Sequence, residues 1–144
     1  MKKLVIVLLV AFALAACSTF EPQWQAALKQ PATGVTGAWI GRWQSEHNGH
    51  NDVLRCVVSS KTNGQYETHF HAKYTTCCFP VSFAYKLDMT VREANGTHQF
   101  SGEADLGYLA GGVYRYEGNG TAQQLLFHYR CPSDHGTFRL QRPQ

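Results

Sequence analysis

From residue 37 onward, apolar and polar side chains alternate with a period of two. The clearest case is Val81 to Arg92, where Val81, Phe83, Tyr85, Leu87, Met89 and Val91 interleave with Ser82, Ala84, Lys86, Asp88, Thr90 and Arg92. Successive side chains of a strand point to opposite faces, so this run predicts an antiparallel strand with one buried and one wet side. The alternation recurs in Leu54-Cys56-Val58, Tyr66-Thr68-Phe70, Phe100-Gly102-Ala104-Leu106, Tyr114-Tyr116, Leu125-Phe127-Tyr129-Cys131 and Phe138-Leu140. Between the runs lie turn signals: His47-Asn48-Gly49, Asn63-Gly64, Asn95-Gly96, Gly118-Asn119-Gly120 and Asp134-His135-Gly136. With the opening run GAWIGRW, Gly37 to Trp43, the chain predicts eight sequential antiparallel strands.

Such strands can bury a single apolar face in a sandwich or in a closed barrel. Closure removes the exposed edges, and at eight strands the interior just holds packed side chains or one small ligand. The expected fold is therefore all-β, an eight-stranded antiparallel up-and-down barrel over residues 37–144. On its first strand Trp39, Gly41 and Trp43 face inward. The expectation is that the two indoles plug one end while Gly41 permits the coiling a small barrel needs.

The first residues follow another logic. Lys2 and Lys3 precede an apolar run from Leu4 to Leu14 that is too short for a permanent membrane span, and residues 1–16 read as a signal peptide. Its ending, Leu14-Ala15-Ala16-Cys17, resembles the lipobox of bacterial lipoproteins. That resemblance implies lipidation of Cys17 by diacylglycerol and a further acyl chain such as palmitate, which anchors the mature protein to a membrane. Ser18 in place of the aspartate that retains such proteins at the inner membrane implies the outer membrane, facing the periplasm. Residues 17–36 are expected to form a lipid-anchored tether with at most one or two helical turns around Gln23 to Lys29. Trp24 is then a cap on the end of the domain.

Charge narrows the list of partners. The formal charge is +3, and loss of Lys2 and Lys3 with the leader leaves +1, too little basic excess to neutralise a phosphate backbone, so nucleic acid is not an expected partner.

The G-x-W start of the first strand, the short meander and the ending Gly136-Thr137-Phe138-Arg139-Leu140-Gln141-Arg142-Pro143 resemble the calycin group of barrels, which includes lipocalins and avidins. The resemblance implies that a tryptophan from the start of the barrel packs against an arginine from its end. Inward parity of Phe138 and Leu140 favours Arg142 over Arg139, with Trp39 or Trp43 beneath it, and Trp39 with Arg142 is the expected pair. The chain departs from typical lipocalins in its short loops and in lacking length for a flanking C-terminal helix. The stretches GHNDVLRCVV, DLGYLAGGVYRYEG and DHGTFRLQRP are also similar to small exported bacterial proteins of unassigned role.

Besides Cys17, the chain has Cys56, Cys77, Cys78 and Cys131, which an oxidising compartment would pair. Cys56 and Cys131 both take inward parity and form the first candidate disulfide; the alternatives join each to Cys77 or Cys78, or leave a buried thiol. A Cys77–Cys78 bond would close a strained vicinal ring. His69 and His71 stand two apart on one strand face, a spacing that lets two imidazoles share a metal ion. Their alternation partners Glu67 and Lys73 make that face the solvated exterior, so they are weak candidates and no metal is expected. His47 and His50 carry a weaker signal still.

No nucleophile elbow, zinc-protease motif or phosphate loop is present, so neither an enzyme nor a cofactor is expected. Glu103 and Asp105 share an outward face, and Asp134 beside His135 reads as a turn cap. The interior is more informative, because Trp39, Trp43, Tyr85, Tyr114 and Tyr116 all point into it. The expected function is a non-enzymatic, calycin-like binding module for a small apolar or aromatic ligand. The alternative is a filled barrel that binds another envelope protein, as inhibitor or assembly partner, with Leu106 to Tyr114 as its contact segment.

Overall fold

The computed structural model describes residues 19–75, 79–108 and 111–144. Eight strands follow in chain order: β1 (Gly37–Ser45), β2 (Asn51–Ser60), β3 (Gln65–Thr75), β4 (Pro80–Ala94), β5 (Thr97–Asp105), β6 (Val113–Gly120), β7 (Gln124–Arg130) and β8 (His135–Gln141). Each pairs antiparallel with the next, and β8 returns to β1, closing an up-and-down barrel. Closure is what the alternating pattern requires, since every strand then buries one face and none is left as an edge. Asn63-Gly64 and Asn95-Gly96 make tight hairpin turns, with φ of 58° and 72° in the first and 54° and 74° in the second. Positive φ at both central positions is the requirement of a type I′ turn.

The inside of the barrel is apolar and aromatic, built around Trp39, Phe70, Met89, Tyr116, Phe127 and Leu140. The outside carries charge, including the pairs Lys61–Asp88, Glu67–Lys86 and Glu103–Arg115. Such exposed pairs, screened by water, add little to stability. Their placement matters more, because a barrel crossing a membrane on its strands has the opposite arrangement, apolar outside and polar within.

The two ends differ. Hairpin loops β1–β2, β3–β4, β5–β6 and β7–β8 all lie at one end, the mouth; the turns β2–β3, β4–β5 and β6–β7, with the C-terminus, lie at the other, the base. Trp39 belongs to the base. It is fully buried, its Nε1 donates to the Val35 carbonyl at 2.9 Å, and the Arg142 guanidinium lies 3.6 Å above its ring. Trp43 is four residues further along β1, roughly 13 Å at the strand rise. The two indoles thus serve opposite ends, and the expectation that both plug one end is corrected. Side-chain parity fixes a face, whereas the rise along a strand fixes the height.

Gly41, between them, is required by a close approach. A Cβ there would run into the Arg139 carbonyl oxygen of β8. The glycine therefore lets β1 and β8 meet at the seam.

Residues 19–36 are not a free tether. A helix, α1, occupies residues 19–28 and lies on the outer wall of the barrel. Phe20, Trp24 and Ala27 recur at helical spacing and pack against Ala38, Val57, Ala84 and Ile40. Phe20 is 1% and Trp24 5% exposed, so Trp24 covers the side of the barrel rather than capping its end. The small residues Ala38 and Ala84 make the shallow place on the wall into which these rings fit.

Candidate functional site

The barrel interior is filled from the base up to the level of Phe70, whose ring centroid lies 5.5 Å from that of Tyr85, 5.8 Å from Phe127 and 5.3 Å from Phe138. Above this floor the packing opens into a cavity of about 290 Å³. Trp43 of β1, Ala72 and Tyr74 of β3, Phe83 and Tyr85 of β4, and Tyr114 and Tyr116 of β6 are among its walls. These positions are inward-facing residues of the mouth half, so strand alternation alone delivers them to one space. The small Ala72 opposite Phe83 in the ladder is one place where volume is left empty.

Hydroxyl groups on the walls are mostly satisfied. Tyr85 and Tyr116 share a hydrogen bond of 2.8 Å between their oxygens. Burial, then the neighbouring phenols, pushes the Tyr85 hydroxyl well above its ordinary range, so both rings are neutral donors or acceptors. Tyr129 donates to Asp134 Oδ2 at 3.0 Å, while Asp134 Oδ1 accepts from Ser45 Oγ at 2.6 Å and from the His135 amide at 2.8 Å. Three donors hold this carboxylate in the wall. By contrast, Trp43 Nε1 is shielded from solvent and has no hydrogen-bond partner. A buried indole N–H without an acceptor costs about 1–3 kcal/mol.

Of the ligand candidates, Trp43, Tyr85, Tyr114 and Tyr116 line this cavity. Trp39 does not, because it is sealed into the base beneath Arg142. Tyr74, Ala72 and Asp134 were overlooked. Tyr74 and Ala72 continue the parity of Thr68 and Phe70, so the signal was present; Asp134 sits in a turn, where alternation says nothing.

The proposed Cys56–Cys131 disulfide is not formed, and both thiols are free. Cys56 lies opposite Trp39 in the β1–β2 ladder, whereas Cys131 follows β7 beside Asp134, which bonds to Ser45 at the other end of β1. The six-residue interval from Trp39 to Ser45 spans roughly 20 Å at the strand rise, far beyond disulfide reach. Shared inward parity placed the thiols in one barrel but at opposite heights. Burial pushes the Cys56 thiol well up. Burial also raises that of Cys131, but hydrogen bonds from Ser133 and Tyr114 outweigh it and the net shift is downward. Cys17, Cys77, Cys78 and Leu109 lie outside the described residues.

His69 and His71 do point outward from the sheet, yet they are not solvated, being 1% and 5% exposed beneath α1. Phe20 packs on the edge of His69 at 4.9 Å and stacks on His71 at 4.8 Å. His69 Nδ1 donates to Gln23 Oε1 at 2.6 Å. His71 Nδ1 lies 3.2 Å from an Arg55 nitrogen and accepts from it, while its Nε2 donates to Ser82 Oγ at 2.6 Å. Burial is the largest cause that holds both imidazoles near pKa 4, below the ordinary 6.5. Neutral and bonded to other partners, they act as packing groups. No cluster of three or more metal-ligating side chains occurs among the described residues. Glu103 is paired with Arg115 on the outer wall, at 2.7 Å.

A broader depression of about 800 Å³ lies on the outer face and is lined by Arg42, Gln44, Gln124, Arg139 and Gln141, with no aromatic ring. Its walls are the water-facing side of the sheet, so the mouth cavity is the better candidate.

No family model matches the chain, and no curated protein does. A solved structure that resembles it is a redesigned β-barrel, with a TM-score of 0.50, 15% identity, and coverage of 76% of this chain and 92% of that one. At that identity the likeness concerns the fold alone.

Proposed function

We propose that this protein is a non-enzymatic binding module of the bacterial envelope, exported and lipid-anchored at Cys17, that holds a small apolar or aromatic molecule in the mouth of its barrel. The observation that carries this reading is the aromatic cavity of about 290 Å³ walled by Trp43, Tyr85, Tyr114 and Tyr116. An apolar cavity of about 150 Å³ takes one benzene ring, so a two-ring molecule bearing a hydrogen-bond acceptor fits this one. The closure of Trp39 under Arg142, with the G-x-W start of β1, supports a calycin-like ancestry for the barrel. The open cavity favours a ligand over the filled barrel that a purely protein-binding role expects.

The test is a titration with 2-naphthol followed by quenching of Trp43 emission. Saturable quenching is expected, lost in Trp43→Phe and, as binding, in Ala72→Phe, which fills the cavity. Native mass spectrometry of the purified protein gives an independent answer through any co-purified small mass. Absence of saturable binding together with a co-purified polypeptide would replace the ligand reading with the protein-partner one.

A further inference from the structure

The exposed apolar side chains are unevenly placed. Among the described residues the large ones are Leu28, Val53, Phe79, Tyr108 and Val113, and all but Leu28 belong to the mouth half of the barrel. Tyr108 is 96% and Phe79 70% exposed. Phe79 immediately precedes β4, and β4 meets β5 only from Met89 onward, so the stretch from Pro80 to Asp88 carries the β3–β4 hairpin past the end of that ladder. An aromatic thus sits at the mouth end of β4 and another on the next loop of the mouth, β5–β6.

The direction of α1 gives these rings a partner. Phe20 packs at His71 and Arg55, while Gln23 reaches His69 and Ser59. On both β2 and β3 that progression runs from the mouth side toward the base. The amino end of α1 therefore points toward the mouth. Cys17 stands two residues before Thr19, a reach of roughly 7 Å at full extension. The level of His71 is four residues short of Thr75, roughly 13 Å from the mouth end of β3. An acyl anchor on Cys17 leaves the molecule on its mouth half.

Charge identifies the kind of surface. The mouth segments 46–50, 79, 106–108, 111–112 and 131–134 contain no lysine or arginine and include Glu46 and Asp134; the nearest cations, Lys73, Arg115 and Arg130, lie on the adjoining strand ends, where Arg115 is paired with Glu103. Acids and cations nearly balance at this end, which gives anionic lipid little hold, whereas exposed Tyr and Phe suit the headgroup layer of a neutral bilayer. We infer that the mouth of the barrel rests on a zwitterionic lipid surface, with Tyr108 and Phe79 entering the headgroup layer, so that the cavity opens toward the bilayer. The inference assumes the anchor at Cys17 but not a ligand in the cavity.

The full chain, produced with its leader and reconstituted into phosphatidylcholine vesicles with brominated acyl chains, tests this orientation. Emission from the tryptophans introduced by Tyr108→Trp and Phe79→Trp is expected to be quenched relative to unbrominated vesicles. Emission from one introduced by Gln123→Trp at the base is expected to be unchanged. Quenching at neither mouth position, or at the base as strongly as at the mouth, overturns the inference. The 2-naphthol titration on the same samples decides the cavity separately, so one reading can fail without the other.

Discussion

Arg142→Lys is the sharpest test of how the base is closed. The guanidinium Nε donates to the Ala122 carbonyl at 2.9 Å, one terminal nitrogen to Gly34 at 2.7 Å, and the other to Thr36 at 2.9 Å and Ala38 at 3.3 Å. It does this while lying on the Trp39 ring. Lysine keeps the charge but has no planar fork, and a single ammonium can serve only one side of this arrangement. Taking each of the three shorter bonds at about 1 kcal/mol, a low value suited to partial exposure, and the cation–π contact at about 0.5–1 kcal/mol, the full set contributes about 4 kcal/mol. Lysine recovers about a third of that through one carbonyl and a displaced cation–π contact, so the expected loss is about 2–3 kcal/mol. In urea, where m is about 2 kcal/mol per molar for a domain of this size, the unfolding midpoint should fall by about 1–1.5 M with m unchanged. Tryptophan emission and far-ultraviolet dichroism should report the same transition. A midpoint within about 0.3 M of the parent, smaller than that slope can turn into 1 kcal/mol, would show that the strap of residues 34–38 is held without the arginine and would refute the argument.

Three further outcomes follow from the geometry. Gly41→Ala drives a methyl into the Arg139 carbonyl and should cost about 3 kcal/mol or more, read as loss of soluble protein or a collapsed urea midpoint. Because His69 and His71 have folded-state values near 4, below the ordinary 6.5, the unfolded chain binds more protons between these limits. Stability is then complete above about pH 6.5 and declines as pH falls toward 4, by on the order of 1–3 kcal/mol per histidine. Arg55, Lys73 and Lys86 nearby oppose protonation, and Glu21 and Glu67 favour it weakly. Protection of the amides in residues 19–28, with the slower intrinsic exchange at acid pH divided out, should be lower at pH 5 than at pH 7, and identical protection at both would exclude this coupling. In the reduced protein, iodoacetamide should modify Cys131 before Cys56, whose thiol is wholly buried and shifted upward; peptide mapping that finds Cys56 labelled first contradicts its placement.

Strand alternation carried the fold because it is a local property repeated along the chain. Val81 to Val91 declares its buried face without reference to any other segment, and the Asn-Gly pairs declare their turns. The same property placed Trp43, Tyr85, Tyr114 and Tyr116 inside. What it could not supply was height along the barrel axis, which depends on register between strands, and so Trp39 and Trp43 were assigned to one end and Cys56 and Cys131 to one bond. Nor could it reveal a second layer. His69 and His71 alternate with inward residues and read as wet, but α1, thirty or more residues distant in sequence, covers them. The signal for that cover was the helical spacing of Phe20, Trp24 and Ala27 in a segment whose prolines argued for an extended linker.

The pairing of β1 with β8 also bears on how the molecule comes to be made. Besides its pairing with β2, the stretch from Ile40 to Ser45 pairs with residues 136–141, far along the chain. Contacts between such distant segments are slow to form, since the loop between them must be gathered first. Folding can finish only once β8 is free to pair, so a chain lacking residues 136–141 would leave β1 with an open edge.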